Sequence, residues 1–116
     1  MGSRATRNPR LMSVVLKELK NKKLFFLDSM THPDSIAYEK ARDLGMKTLK
    51  RDVFIDNNDS YQYVLKQIEQ VAETAKANGS AVAIGHVHEN TLRALRDAMK
   101  ELEAEGIEIV SLKDLL

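Results

Sequence analysis

The sequence predicts an α/β fold with a parallel sheet of about four strands, joined by helices into βα units. Short apolar runs alternate with longer segments of helical spacing, and only a few residues connect them. A chain of 116 residues with 43% hydrophobic content can bury one compact core. We therefore expect residues 1–116 to form a single α/β domain with right-handed crossovers.

The first third of the chain predicts two helices around one strand. Asn8 is expected to cap a helix that Pro9 begins, because the Asn side chain accepts bonds from the free amides of the first turn. Proline suits the first helical position, since it has no backbone N–H and an N–H there would have no partner within the helix. Residues 24–27 are a short apolar run, typical of a strand covered on both faces. Asp34 is expected to cap the next helix, and Gly45 to end it.

The middle of the chain predicts a second strand, a long helix and a third strand. The second strand is expected near residues 48–54, although charged side chains alternate onto both of its faces. Residues 56–60 form a turn and a helix cap before a helix over 61–77, which ends at Asn78-Gly79. Residues 81–84 are another continuous apolar run and form the third strand.

The last segment predicts one more helix and one more strand. Asn90 or Thr91 begins the helix, and Gly106 ends it. Residues 107–110 are expected to form the fourth strand, and Ser111 to cap a final helical turn.

Composition argues against several partners. The 18 Lys and Arg residues nearly balance 17 Asp and Glu, and a net charge of +1 does not favour nucleic acid. The chain has no cysteine, which removes disulfides and thiolate chemistry. Apolar runs such as 24–27 are too short to span a membrane. The first residues do not resemble a signal peptide, so we expect any export signal to lie outside this chain.

Polar side chains concentrate where the predicted strands end. They are Asp28 and Ser29 after the first strand, Asp52 and Asp56 at the second, and His86 and His88 after the third. Ligands of parallel α/β folds bind at the carboxyl ends of strands, because the loops there project from a rigid sheet. We therefore expect these side chains to converge on one rim of the fold.

Carboxylates and imidazoles together could bind a divalent metal ion or share proton transfer, since neutral histidine is both a ligand and a base. His86 and His88 are the candidate metal ligands. Gly85 would let the backbone approach a ligand closely, or permit a tight bend. Each residue also has a structural interpretation. Asp28 can bond loop amides, Asp56 can shape its turn, and His88 can face solvent.

Four segments resemble motifs of the divergent polysaccharide deacetylase family, in the same order and at similar spacing. They are MGSRAT (1–6), FFLDSMT (25–31), RDVFIDN (51–57) and IGHVHENT (84–91). The Asp28-Ser29 pair and the Gly-His-x-His sequence at 85–88 are the most specific. The likeness extends over essentially the whole chain.

This resemblance implies half of a deformed (β/α) barrel of the glycoside hydrolase/deacetylase type, with residues 1–116 as its carboxyl-terminal portion. It also implies metal-dependent hydrolysis of N- or O-acetyl groups on a polysaccharide, with zinc as the expected ion. In such enzymes a metal-bound water attacks the carbonyl, a carboxylate takes its proton, and a histidine protonates the leaving group. An extracytoplasmic location in a bacterium follows from the same likeness.

The resemblance also assigns roles by position. His86 is the expected catalytic histidine, and Asp28 and Asp52 are carboxylates that orient it or bind substrate. The expected substrate contacts are Ser29, Arg51 and Asp56. The family's main aspartate base and part of its metal set correspond to motifs that this sequence does not contain.

Two other classes of function stay open. Without those motifs, the chain could be a non-catalytic carbohydrate-binding or structural module. A small phosphate-binding domain is disfavoured, since no Gly-rich phosphate loop of the usual spacing is present. Parallel strands taken from a barrel would also expose apolar surface, so we expect a homo-oligomer.

Overall fold

In the computed structural model, residues 2–116 form a mixed α/β fold of helices and short parallel strand pairs, and Met1 lies outside the described residues. Two compact units are present. The first runs up to Lys50 and includes Leu116, and the second covers Arg51–Leu115. That the whole chain is one domain stays a prediction.

The first unit contains three helices and a pair of parallel strands. They are α1 (Ser3–Thr6), α2 (Pro9–Asn21), β1 (Phe26–Asp28), α3 (Ala37–Asp43) and β2 (Thr48–Lys50). Leu27 of β1 lies opposite Leu49 of β2. The start of α2 is confirmed, because Asn8 Oδ1 accepts the amides of Arg10 and Leu11, each at 3.1 Å.

The core of the first unit lies where α2 packs against α3. Met12 and Leu16 on α2 are buried together with Ala37 and Ala41 on α3. The alanine side chains are small, which lets the two helices approach closely. Phe26 of β1 packs against this cluster and joins the strand pair to the helices.

The predicted cap of α3 is wrong. Ile36 stands at the cap position and makes no side-chain capping bond. The Asp28 carboxylate at the end of β1 satisfies this helix start instead, since its Oδ2 accepts the Tyr38 amide at 3.2 Å. A side chain distant in sequence thus does what was expected of Asp34. Gly45 follows the helix with φ of 66°, in agreement with its predicted role.

The second unit repeats the strand–helix alternation. Its elements are β3 (Val53–Phe54), α4 (Tyr61–Asn78), β4 (Ala83–Ile84), α5 (Glu89–Ala104) and a 3-10 helix at Leu112–Leu115. β3 and β4 pair in parallel, with Val53 opposite Ala83 and Phe54 opposite Ile84.

Both predicted ends of α4 are confirmed. The Ser60 hydroxyl accepts the Tyr63 amide at 3.3 Å, and Gly79 ends the helix in the left-handed conformation, with φ of 85°. α4 packs against α5 and β3. The buried core residues are Val53, Ile55, Val64, Ile68, Ala72, Ala94, Ala98 and Leu102. Across residues 2–116, no helix combines the length and the apolar character needed to cross a bilayer.

The predicted sheet of four strands does not form within residues 2–116, which contain two sheets of two strands each. The strand expected over 48–54 is divided at Arg51 and Asp52. The amides of Asp52 and Val53 both donate to the Val82 carbonyl, at 2.8 and 3.2 Å. Two residues therefore oppose one, which interrupts the ladder as a bulge does.

Residues 107–110 do not form the predicted fourth strand. The Ile107 amide donates to the Leu102 carbonyl at 2.9 Å, as part of the turn that closes α5, and so is not available for strand pairing. Ile109 and Val110 are exposed along an apolar groove of about 740 Å³ within the second unit. Exposed apolar surface of this kind is compatible with self-association, which stays a prediction.

Candidate functional site

Asp28 ends β1, and only 2% of the residue is exposed. Its Oδ1 accepts the Met30 amide at 2.9 Å. Its Oδ2 accepts the Ser35 hydroxyl at 2.6 Å and the Tyr38 amide at 3.2 Å. Ser29 follows directly at the same strand end. The Asp28 carboxylate therefore orders the loop after β1 and the start of α3.

Replacing Asp28 by alanine should destabilise the chain. Asp28→Ala leaves three partly buried donors without their acceptor, and we expect a loss of about 1–3 kcal/mol in the free energy of unfolding, measured with urea. Asp34→Ala is the matched control, because this exposed side chain makes no capping bond, and it should change stability by less than about 0.5 kcal/mol. Similar losses of unfolding free energy in both variants would contradict the role of Asp28 in ordering the loop and the start of α3.

Asp52 lies at the break between β2 and β3 and is exposed. Its Oδ2 accepts the Val82 amide at 2.7 Å, so a side chain here replaces a backbone partner of the ladder. Arg51 precedes it, with its guanidinium carbon 5.3 Å from the centroid of the Phe54 ring, a distance typical of a cation–π contact. The catalytic role of Asp52 and the substrate contact of Arg51 stay predictions.

Asp56 and His86 form the central pair of the second unit. The register of β3 and β4 continues beyond the strands and brings Asp56 opposite His86. Nδ1 of His86 lies 3.0 Å from Asp56 Oδ1, and the His86 amide donates to Oδ2 at 2.6 Å. The Asp56 side chain is 0% exposed, whereas that of His86 is 57% exposed. A buried carboxylate therefore holds an imidazole that faces solvent.

Two further residues shape this pair. Thr91, in the first turn of α5, is 2% exposed and donates its hydroxyl to Asp56 Oδ2 at 2.9 Å. A Cβ at Gly85 would lie only 2.8 Å from Ile55 Cγ1 and 3.3 Å from Asp56 Oδ2. Glycine therefore allows the end of β4 to approach the Asp56 carboxylate closely, which brings the His86 amide within bonding distance.

His88 completes a group of three metal-ligand types. One ligand atom from each of Asp56, His86 and His88 lies within 4.8 Å of the other two. The His86 and His88 rings are 5.4 Å apart, and the Phe54 ring is also 5.4 Å from His86. Two imidazoles and a carboxylate are ligands that zinc accepts, so this group could hold a divalent metal ion. The predicted ligands His86 and His88 are thus brought together, and Asp56 lies with them.

The pKa of the Asp56 carboxyl is lowered from its ordinary value. Burial by itself raises this pKa, but the bonds from the His86 amide, the His86 imidazole and the Thr91 hydroxyl outweigh it. A lowered carboxyl pKa stabilises the folded state above the pKa of the unfolded chain. This contribution is lost as the pH falls through the folded-state pKa.

Asp56 should therefore contribute to acid unfolding. We expect Asp56→Asn to be less stable than wild type at neutral pH, because the carboxylate and its charge-assisted bonds are lost. The gap between the two urea-unfolding free energies should shrink as the pH falls from about 5 to about 3, because unfolded Asp becomes protonated over that range while folded Asp56 is still ionised. The measurements are made with chelator present. A gap that stays constant or widens towards acid would contradict the lowered pKa.

The sequence indicates Thr91 only as a helix start, and it does not pair Asp56 with His86. The sequence does contain a spacing that could have predicted this pair. Asp56 lies two residues beyond Phe54, and His86 lies two residues beyond Ile84. Equal spacing after paired parallel strands predicts opposed positions, once the register is known. Asp28 and Ser29, by contrast, belong to the first unit.

The fold and the site together define an α/β protein with a carboxylate–imidazole group beyond the ends of paired parallel strands. The chain belongs to the divergent polysaccharide deacetylase family, whose family profile matches residues 1–116. The resemblance found in the four sequence segments is thereby confirmed.

Two curated relatives cover the chain from end to end. An uncharacterised protein of Haemophilus influenzae is 37% identical over 115 residues, which are 99% of this chain and 41% of the relative. The uncharacterised protein YibQ of Escherichia coli is 35% identical over 116 residues, which are 100% of this chain and 36% of the relative. The chain therefore spans less than half the length of either relative.

A solved structure has the same fold. The crystal structure of an uncharacterised protein from Agrobacterium tumefaciens matches with a TM-score of 0.93 at 21% sequence identity. The match covers 97% of this chain and 46% of the other. At this identity the likeness extends to the fold alone.

Proposed function

We propose that this chain contributes to the active site of a carbohydrate deacetylase, which removes N- or O-acetyl groups from a polysaccharide by metal-dependent hydrolysis. The observation that carries the proposal is the buried Asp56 carboxylate holding the exposed imidazole of His86. The family relationship supplies the substrate class. Extracytoplasmic location in a bacterium and self-association belong to the same proposal.

His86 is proposed as the general acid that protonates the leaving group. One edge of its ring is held by Asp56, so the other nitrogen is available to a substrate at the exposed side. Hydrolysis of an acetyl group expels an amine or an alkoxide, and both need a proton to leave. A histidine oriented by a carboxylate can deliver that proton as an imidazolium: Nδ1–H stays on the carboxylate, Nε2 gives up the proton that it has accepted, and the neutral ring is left behind.

The ligand types of the site fit a divalent metal ion such as zinc. His88 would hold it, and the Asp56 carboxylate lies close enough to join. His86 is the alternative second ligand, in place of its acid role, because Asp56 leaves only Nε2 of that ring free. A metal bound there would act as a Lewis acid on the acetyl carbonyl. The chain's own contribution is to place these side chains beyond the ends of β3 and β4, where a substrate can reach them.

From the family resemblance we also propose Asp28 and Asp52 as catalytic carboxylates. The proposed substrate contacts are Ser29, Arg51 and Asp56. The bonds of Asp28 and Asp52 favour a second candidate, a non-catalytic carbohydrate-binding or structural module. Both carboxylates accept backbone amides, as carboxylates that shape a fold do. Metal binding and activity distinguish the two candidates.

Zinc titration of the chelator-treated chain tests the metal site. We expect one zinc ion per chain by calorimetry, and a fall in affinity of roughly tenfold or more for His86→Ala and His88→Ala, because each removes a ligand type that zinc accepts. His32→Ala is the matched control, since His32 is a histidine that does not belong to the group formed by Asp56, His86 and His88. Absent binding, or equal affinity in all four proteins, would contradict a metal site here.

Deacetylation by the complete gene product that contains residues 1–116 tests the reaction. Release of acetate from acetylated glycans should fall by roughly 100-fold or more in His86→Ala, because a general acid usually contributes at least that factor. His32→Ala should keep wild-type activity. A wild-type protein that releases no acetate, or a His86→Ala variant with full activity, would favour the non-catalytic candidate.

A further inference from the structure

We infer that Thr91 is a positioning residue, which fixes through Asp56 the nitrogen of His86 that carries the proton. The inference deepens the proposed function and rests on it, because it takes His86 as the working group of the site. Thr91 touches neither substrate nor metal in this role.

The direction of the Thr91–Asp56 bond follows from chemistry. An ionised carboxylate only accepts hydrogen bonds, so the Thr91 hydroxyl donates to Oδ2 across 2.9 Å. A threonine in a helix can otherwise turn its hydroxyl to a carbonyl of the preceding turn. Here the hydroxyl points out of α5 to a carboxylate 35 residues earlier in the chain. Because Thr91 is only 2% exposed, water cannot easily replace it as the donor.

The two oxygens of Asp56 therefore have different partners. Oδ2 accepts the His86 amide at 2.6 Å as well as the Thr91 hydroxyl. Oδ1 is the oxygen that faces His86 Nδ1, at 3.0 Å. Since Oδ1 accepts, Nδ1 carries the proton and Nε2 presents its lone pair to the exposed side. The tautomer of a histidine is set by the bond that its other nitrogen makes.

Two donors from different elements of the fold hold Oδ2 of this carboxylate. The His86 amide comes from the loop after β4, and the Thr91 hydroxyl comes from α5. With the amide alone, the carboxylate can rotate about a single bond and Oδ1 can leave Nδ1. The imidazole is then free to carry its proton on Nε2. An Nε2 that carries the proton of a neutral ring has no lone pair for a metal ion or for accepting a proton.

The experiment measures the tautomer of His86 directly. The chain is labelled with ¹⁵N-histidine and studied with chelator at about pH 8.5, where an ordinary imidazole is neutral. Long-range ¹H–¹⁵N correlation gives the ratio of the Nδ1–H form to the Nε2–H form. We expect the Nδ1–H form to predominate in wild type. In Thr91→Val the ratio should fall by roughly fivefold or more, the scale on which one hydrogen bond changes an equilibrium.

Two further variants test whether the effect comes from the Thr91 hydroxyl itself. Thr91→Ser keeps the hydroxyl and should keep the wild-type ratio. Thr48→Val is the matched control, because it removes a threonine hydroxyl that bonds the Phe26 carbonyl in the first unit. It should also keep the wild-type ratio. If Thr91→Val does not fold, Thr91→Ala must show the fall that Thr91→Ser does not.

An unchanged ratio in Thr91→Val or Thr91→Ala would overturn the inference. An equal fall in Thr91→Ser or in Thr48→Val would also overturn it, because the effect would then not come from the Thr91 hydroxyl. The measurement uses neither metal nor substrate. A protein that shows the expected tautomers but releases no acetate therefore refutes the proposed function, and leaves the positioning by Thr91 standing.

Discussion

The second unit depends on the bonds made by one buried carboxylate. Asp56 accepts the His86 amide, lies against the His86 imidazole and accepts the Thr91 hydroxyl, so it links the ends of β3 and β4 to the start of α5. A charge with no exposed surface is costly unless such bonds compensate it. The same bonds lower the pKa of Asp56 and keep the carboxylate charged. The bonds that stabilise the second unit around Asp56 are therefore the same bonds that place the His86 imidazole.

Helix boundaries could be predicted where the deciding bond is local. Asn8 and Ser60 bond amides two or three residues away, and Gly79 takes a left-handed conformation that glycine allows. The start of α3 shows the limit of such reasoning. Its amide is satisfied by Asp28, ten residues earlier, on a strand whose end must first be brought to the helix. A sequence pattern favours the nearer Asp34 because it contains no information about that approach.

Strand pairing was less predictable, because a ladder depends on a partner far away in the chain. Residues 48–54 carry charges on both faces of the expected strand, but this pattern predicts neither that the strand breaks nor where. The break at Asp52 depends on Val82, whose carbonyl and amide bond the Asp52 backbone and side chain across 30 residues. Residues 107–110 have strand-like composition, yet the Ile107 amide bonds the end of α5. Composition alone therefore overestimated the sheet.

The rule that polar residues gather at strand ends selected the residues of the site but could not rank them. Asp28, Asp52 and Asp56 are alike in sequence, and all three accept backbone amides in the structure. Asp56 differs because it also contacts an imidazole that is 57% exposed, with His88 beside it. A carboxylate bonded only within the fold stabilises the fold, whereas one that orients an exposed imidazole can act on a ligand through it. The support for chemistry therefore concentrates on Asp56, His86 and His88.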